Sequence, residues 1–321
     1  MKALLTNEDF YIVIGVIFAL VASRIVRDTS QPKRWGAVLF WGLLAVTYLF
    51  GPALPPLVVG YLLLVMVALA AAKQVKRSAD ESTTREERAA SAAKLQNRLF
   101  WPALLVPATA VAGSLVLGRI HFGSIPLVDP RQVTLVSLGL GAIAALIVAM
   151  RVTQAPLSAP ARESSRLLQA IGWALILPQL LAALGGIFGV AKVGDVVAQL
   201  TTQLLPVQFP FVAVLAYVGG MALFTICLGN AFAAFPVMTL GVGLPLIVQQ
   251  HHGNIAIMAA IGMLSGYCGT LLTPMAANFN IVPAMLLELK DRNAVIKAQA
   301  PMAGAILAAN VLLMYLLVYR F

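Results

Sequence analysis

The chain is a succession of long apolar runs separated by short basic gaps, and no other feature narrows its fold so far. A helix needs about 20 apolar residues to cross the hydrocarbon of a bilayer. Runs near that length occupy residues 10–26, 36–51, 55–72, 100–118, 133–150 and 167–187. Only a Gly51-Pro52-Ala53-Leu54-Pro55 turn separates the second run from the third. The expected fold class is therefore an all-α polytopic membrane protein. Composition agrees: 60% of the 321 residues are apolar and 11% are charged, against about 25% charged in a soluble domain. That balance excludes a water-soluble enzyme and a disordered acidic or basic chain.

The formal net charge of +10 is distributed as an orientation signal. Most Lys and Arg lie in alternate gaps: 24–35, 73–98, 151–166 and 290–299. Such alternation marks cytoplasmic loops, so both termini are expected outside and these four gaps inside. A polyanionic partner is not needed to explain the charge. Thr83 and Glu86 have capping-box spacing, and the Ala-rich sequence after them predicts a solvated cytoplasmic helix in the 73–98 loop. Glu8 and Asp9 precede the first run, which is the wrong flank for a cleaved signal peptide. That helix is expected to remain. Cys227 and Cys268 fall in apolar runs and read as buried, inert thiols. Gly139, Gly141, Gly185 and Gly186 read as sites of close helix packing. His251-His252 lie in a loop and read as solvated.

Past residue 188 the pattern changes. Residues 191–205 are short and polar, with Lys192 and Asp195, and predict a helix at the outer surface. Residues 210–249 are apolar but for an interruption at Gly229-Asn230. They read as a re-entrant hairpin, with two full spans as the alternative. Residues 255–289 read as one broken helix, interrupted from Gly269-Thr270 through Asn280, and 302–319 as a plain final span. The whole is about seven transmembrane spans, one re-entrant hairpin and one broken helix. Residues 1–165, with the 73–98 loop, form the scaffold; 166–321 form a transport-site half.

The breaks carry the chemistry. An unpaired backbone group in hydrocarbon costs several kcal/mol, so a helix breaks at membrane depth only where protein or a water-filled cavity satisfies the freed groups. Carbonyls released there, with Asn and Thr oxygens, suit a cation; exposed N–H groups at half-helix starts suit a carboxylate. The candidate binding residues are Gly229, Asn230, Ala231, Gly269, Thr270, Thr273, Pro274, Asn278 and Asn280, with Na⁺ a possible occupant at Asn230 and Asn278. No nucleophile–base pair and no metal-ligand set stands out, so no enzyme activity and no cofactor beyond a coupling Na⁺ or H⁺ is expected. Transporters of this design pair two inverted copies of hairpin plus broken helix. Only one copy is visible; Pro107-Ala108-Thr109 is a weak imitation of a break in the first half. A second, smaller membrane subunit or a second copy of the chain must then supply the other half.

The segments Leu228-Gly229-Asn230-Ala231-Phe232-Ala233-Ala234-Phe235-Pro236 and Gly266 through Asn280 resemble those of the larger membrane subunit of the two-component 5-oxoproline (pyroglutamate) transporters. That family is a distant branch of the ion-transporter superfamily that includes the divalent-anion/sodium symporters. The resemblance implies a secondary active transporter of the inner membrane, importing 5-oxoproline or a similar small carboxylate with a smaller partner subunit. In the symporters a Ser-Asn-Thr motif marks the hairpin tip, and a Thr-Pro loop interrupts the next helix. Here Asn230 matches the motif Asn, and Thr273-Pro274 with Asn278 matches the loop. Gly229 stands where the motif has Ser and Ala231 where it has Thr, so two hydroxyls are missing. A self-sufficient homodimeric transporter and a non-transporting membrane scaffold are the other readings.

Overall fold

The structure is a computed structural model of the 321-residue chain, describing residues 3–29, 31, 33–76, 84–122, 125–287 and 289–320. Among these residues, eight helices are long and apolar enough to cross a bilayer, and two shorter apolar ones, Pro56–Ala71 and Ile255–Leu271, accompany them. Their outward faces carry Leu, Val, Ile, Phe and Trp side chains, which only lipid can cover over so many helices at once. The protein is an all-α, multi-pass membrane protein. The chain folds as two compact units, Met1–Gly172 and Trp173–Phe321.

The first unit is built on two antiparallel helix pairs. Helices α1 (Asn7–Arg27) and α2 (Arg34–Phe50) pack through Gly15 against Leu49. Phe18 lies between Trp41 and Tyr48, with ring centroids 5.7 and 5.2 Å away. A 3₁₀ turn over Gly51–Ala53 leads to α3 (Pro56–Ala71), which buries only Met66. The helix expected in the 73–98 loop is α4 (Arg85–Leu95). Its capping box lies one residue later than the spacing of Thr83 and Glu86 suggests: Thr84 Oγ1 accepts from Glu87 N at 3.2 Å. Thr83 itself is outside the described residues.

The second pair is α5 (Phe100–Val116) and α6 (Val133–Thr153). Gly113 faces Ser137, and Gly141 faces Thr109 and the Val106 carbonyl. Pro107 does not break α5. Gly139 packs under the ring of Phe10. Two-residue strands, His121–Phe122 and Ile125–Pro126, join α5 to α6. Helix α7 (Ala159–Ile171) closes the unit.

The sixth apolar run lies within one of the eight candidate spans, Ala159–Val190, but is not one continuous α-helix. Gly172 takes φ +57, a conformation that terminates α7. A 3₁₀ turn over Gly172–Ile176 follows, and α8 (Leu177–Val190) starts afresh. Pro178, with no N–H to give the Ala174 carbonyl, belongs in a first helical turn rather than mid-helix.

The second unit is a helical hairpin flanked by other helices. Its first arm is α10 (Pro210–Leu228); its second is α11 (Ala231–Met238), continued as a π-helix over Thr239–Gln250. Gly220 faces Met238, and Tyr217 Oη lies 3.0 Å from Thr239 Oγ1. The arms therefore run antiparallel about a tip at Gly229-Asn230. At the base, Gln250 Nε2 donates to the Val207 carbonyl at 3.4 Å. Arms of 19 and 20 residues reach about 30 Å at ~1.5 Å per residue, so each is long enough to cross.

The helix expected over 191–205 is α9 (Val193–Leu204). It lies on the second arm, with Gly194 against the Val237 carbonyl and Gly241. Gly185 of α8 lies against Ala233, whereas Gly186 meets nothing within 4 Å.

Helix α12 (Ile255–Leu271) runs parallel to α10. Gly262 faces Tyr217, Gly266 faces Met221, and Gly269 faces Ala222 and Thr225. After a break, a π turn over Ala277–Ile281 and α13 (Val282–Leu286) continue the path. The last helix, α14, spans Ala294–Leu317 and so begins before residue 302. Lys297, expected in the basic loop, sits in its first turn and reaches Asp291 at 2.8 Å. Cys268 is buried as expected, but Cys227 is exposed on α10.

Candidate functional site: the hairpin tip and the helix break

Gly229 ends the first arm at φ +74, the left-handed conformation that glycine adopts without a Cβ penalty. Its N–H donates to the Thr225 carbonyl at 2.7 Å. The tip sits on the break of α12: a Cβ at Gly229 would lie 2.5 Å from Met275 Cβ and 2.8 Å from its carbonyl carbon. Two interruptions separated by some 45 residues of sequence are thus one junction in space. The rings of Phe232 and Phe279 both lie against Tyr267, with centroids 6.1 and 6.3 Å away.

Asn230 caps the second arm. Its Oδ1 accepts from Phe232 N at 2.7 Å, and the residue is half-buried. No hydrogen bond holds its Nδ2 among the described residues. The tip therefore presents a free amide donor beside the start of α11, whose first N–H groups lack helical acceptors and carry the positive end of the helix dipole. Ala231 turns away from the opening and packs its methyl on Gly266.

The break divides its polar residues into two kinds. Asn280 is buried, and its Nδ2 donates to the Thr270 and Thr273 carbonyls at 2.9 and 2.7 Å. Its Oδ1 accepts from Gln299 Nε2 of α14 at 3.1 Å. That amide replaces the partners that the end of α12 has lost, so it holds the break in shape. Thr270 Oγ1 donates to the Tyr267 carbonyl at 2.6 Å, and Thr273 Oγ1 accepts from Met275 N at 3.2 Å. Gly269 lies against α10, closer to the Ala222 carbonyl than a Cβ could approach. Pro274 and Asn278 are exposed. Asn278, whose side chain has no hydrogen bond among the described residues, is the open member of the set.

Of the nine residues singled out in the sequence, Gly229 and Asn230 thus form the tip, and Thr273, Pro274 and Asn278 form the loop it meets. Gly269, Thr270, Ala231 and Asn280 support that geometry from beneath. Three contributors escaped the sequence reading. Gln299 was placed outside the last helix, although a lone Gln beside an apolar run was a visible signal. Met275 and Tyr267 gave none. Nearby, Thr225 Oγ1 is fully buried and has no partner among the described residues. Deeper along α12, Asn310 of α14 donates to Ser265 Oγ at 3.3 Å.

What the junction can do chemically follows from its open groups. Two neutral amides and a helix start can hold a small anion without any charged side chain. The second lone pair of Asn230 Oδ1 and the amide oxygen of Asn278 can also face a cation.

The fold and this junction define a polytopic helical membrane protein whose helices are interrupted at one shared polar point. The chain belongs to a family of proteins of unknown function, DUF979, whose family model matches residues 8–319. No curated protein and no solved structure matches it.

Proposed function

We propose that this protein is a subunit of a secondary active transporter of the cell (inner) membrane that imports 5-oxoproline or a similar small carboxylate, coupled to Na⁺ or H⁺. The observation that carries the reading is the seating of the hairpin tip on the helix break, Gly229 against Met275. It leaves the Asn230 and Asn278 amides as open polar groups of the two segments that meet there. Hydrocarbon penalises unsatisfied polar groups by several kcal/mol, so such groups persist where a ligand or water meets them. A carboxylate would accept from Asn230 Nδ2 and from the first turn of α11; a lactam would pair with the Asn278 amide. The choice of 5-oxoproline rests on the resemblance of the two interrupted segments.

In this reading the protein carries out transport and no enzymatic step, and the hairpin is re-entrant although each of its arms is long enough to cross. A smaller membrane subunit contributes the other half of the site. The test is uptake of labelled 5-oxoproline into proteoliposomes, with and without a co-expressed partner. Uptake that requires both chains supports the reading. Robust uptake by the single chain as a monomer overturns the partner, and no uptake of any small carboxylate by the pair overturns the function.

A further inference from the structure

At the end of the second unit opposite the hairpin tip, the chain builds a different polar feature. Pro210 opens the first arm, His251 follows the second arm, and Tyr315, Leu316, Tyr319 and Arg320 come from the end of α14. These six residues line an open cleft of about 400 Å³. Its walls are fixed by hydrogen bonds between the three segments. Tyr319 Oη donates to the Pro210 carbonyl at 3.1 Å, and Asn254 N donates to the Val318 carbonyl at 2.7 Å. His251 Nε2 lies 2.9 Å from the Val207 carbonyl, and its ring packs against Tyr319 at 6.1 Å. Of the histidine pair expected to be solvated, His251 therefore contributes a wall, and His252 is exposed.

The lining contains one full positive charge, Arg320, and no acidic residue. Arg320 is exposed and has no ion-pair partner among the described residues. Tyr315, also exposed, has its ring against Phe211 at 5.3 Å, and its hydroxyl has no hydrogen-bond partner among the described residues. A guanidinium and a free phenol lining one cleft can grip a phosphate: the planar fork donates two bonds and the phenol a third. The apolar side of the site is Phe211, packed on Tyr315, and Leu316 of the lining, with exposed Leu312 and Leu313 one turn back on α14. Tyrosines at the end of an apolar run belong at headgroup level, and an Arg there lays its stem on apolar surface with its charge at the interface.

We infer that this cleft is a binding site for the phosphate of an anionic phospholipid headgroup, gripped by Arg320 and Tyr315 with the acyl chains along α10 and α14. A free phosphate ion would meet the same donors, but it would leave the apolar wall unused, so the lipid is the occupant. The site is separate from the tip and break and does not depend on what they carry.

The experiment is native mass spectrometry of the full chain in detergent, titrated with phosphatidylglycerol or phosphatidylcholine. Phosphatidylglycerol should be retained in preference to phosphatidylcholine. Arg320→Gln should weaken that retention by about fivefold, the weight of one basic group at an anionic surface. Tyr315→Phe should weaken it less, and Arg119→Gln in the first unit should leave it unchanged. Inorganic phosphate at millimolar concentration should not displace the lipid. Equal retention of the two lipids, or unchanged retention in Arg320→Gln, would overturn the site. Displacement by inorganic phosphate would overturn the lipid as its occupant. Arg320 is exposed, so its replacement leaves the fold intact, and an unchanged melting temperature checks that.

Discussion

At Asn280 both ends of the amide are committed, to the carbonyls of Thr270 and Thr273 and to Gln299; at Asn230 only the oxygen is, to Phe232 N. The same side chain therefore has opposite mutational signatures at the two positions. Asn280→Ala strands the Thr270 carbonyl and leaves the Thr273 carbonyl only the Ala276 N–H at 3.4 Å, and an unsatisfied buried group costs about 1–3 kcal/mol. It should lower the melting temperature in detergent and the amount of protein in the membrane. Gln299→Ala should do the same to a smaller degree, since it removes a single partner. Asn230→Ala removes a helix cap worth about 1 kcal/mol but strands nothing buried, so it should insert almost as well as the parent. At Gly229 the backbone itself is at stake. The left-handed conformation costs a non-glycine residue roughly 1–2 kcal/mol, and a Cβ would press on Met275 at 2.5 Å. Gly229→Ala should accordingly destabilise the protein more than Asn230→Ala, as read by thermal unfolding.

Helix α12 owes its position to glycines. Gly262, Gly266 and Gly269 let its backbone approach α10, the small-residue packing that holds helices together where lipid is as apolar as leucine. A Cβ at Gly269 would meet Thr225 Cβ at 2.9 Å, and the Ala222 carbonyl closer still, whereas one at Gly304 of α14 would meet nothing within 4 Å. Gly269→Ala should lower the melting temperature by the equivalent of about 1–3 kcal/mol, the range for overpacking. Gly304→Ala should be neutral or stabilising by up to ~1 kcal/mol, the helix preference for Ala over Gly. At this scale the sequence was legible where hydropathy and breaks coincide. The first five runs and the interruptions at Gly229-Asn230 and Thr273 through Asn280 could all be read from it. Three features could not be. The sixth run hides a stop because Gly172 and Pro178 act through dihedral and hydrogen-bond geometry, which apolar content does not register. The contact of helix α9 with the second arm was hidden because it is made by Gly194 and Gly241 backbones rather than by apolar side chains. The start of α14 was hidden because Lys297 and Gln299 are polar for a tertiary reason, one clasping Asp291 and the other holding Asn280.

For the whole molecule, the alternation of basic gaps, with the shorter apolar helix Pro56–Ala71 crossing in addition to the candidate spans, predicts a topology in which Gly253 faces outward and Ser91 faces the cytoplasm. Single cysteines at these positions, in a background lacking Cys227 and Cys268, should label from outside at Gly253 and stay protected at Ser91 until the membrane is permeabilised. Outside labelling at Ser91 would reverse the arrangement. The junction of tip and break was legible as two separate polar interruptions. That they meet was an inference from transporter architecture until Gly229 and Met275 came into contact in the fold. The sequence also overstated the site, because counting Asn residues cannot separate an amide that holds the backbone from one left open.

The central claim is that the open amides at this junction bind the transported molecule. Its most direct measurement is uptake of labelled 5-oxoproline by proteoliposomes containing the chain and its co-expressed partner, compared at equal membrane abundance. Asn230→Ala and Asn278→Ala should lose roughly five- to 150-fold in apparent affinity, the equivalent of about 1–3 kcal/mol for one lost partner. Asn293→Ala, at the start of α14 and without a side-chain cap bond, should transport like the parent. If all three variants take up substrate as the parent does, the tip and break only join helices and the binding site lies elsewhere.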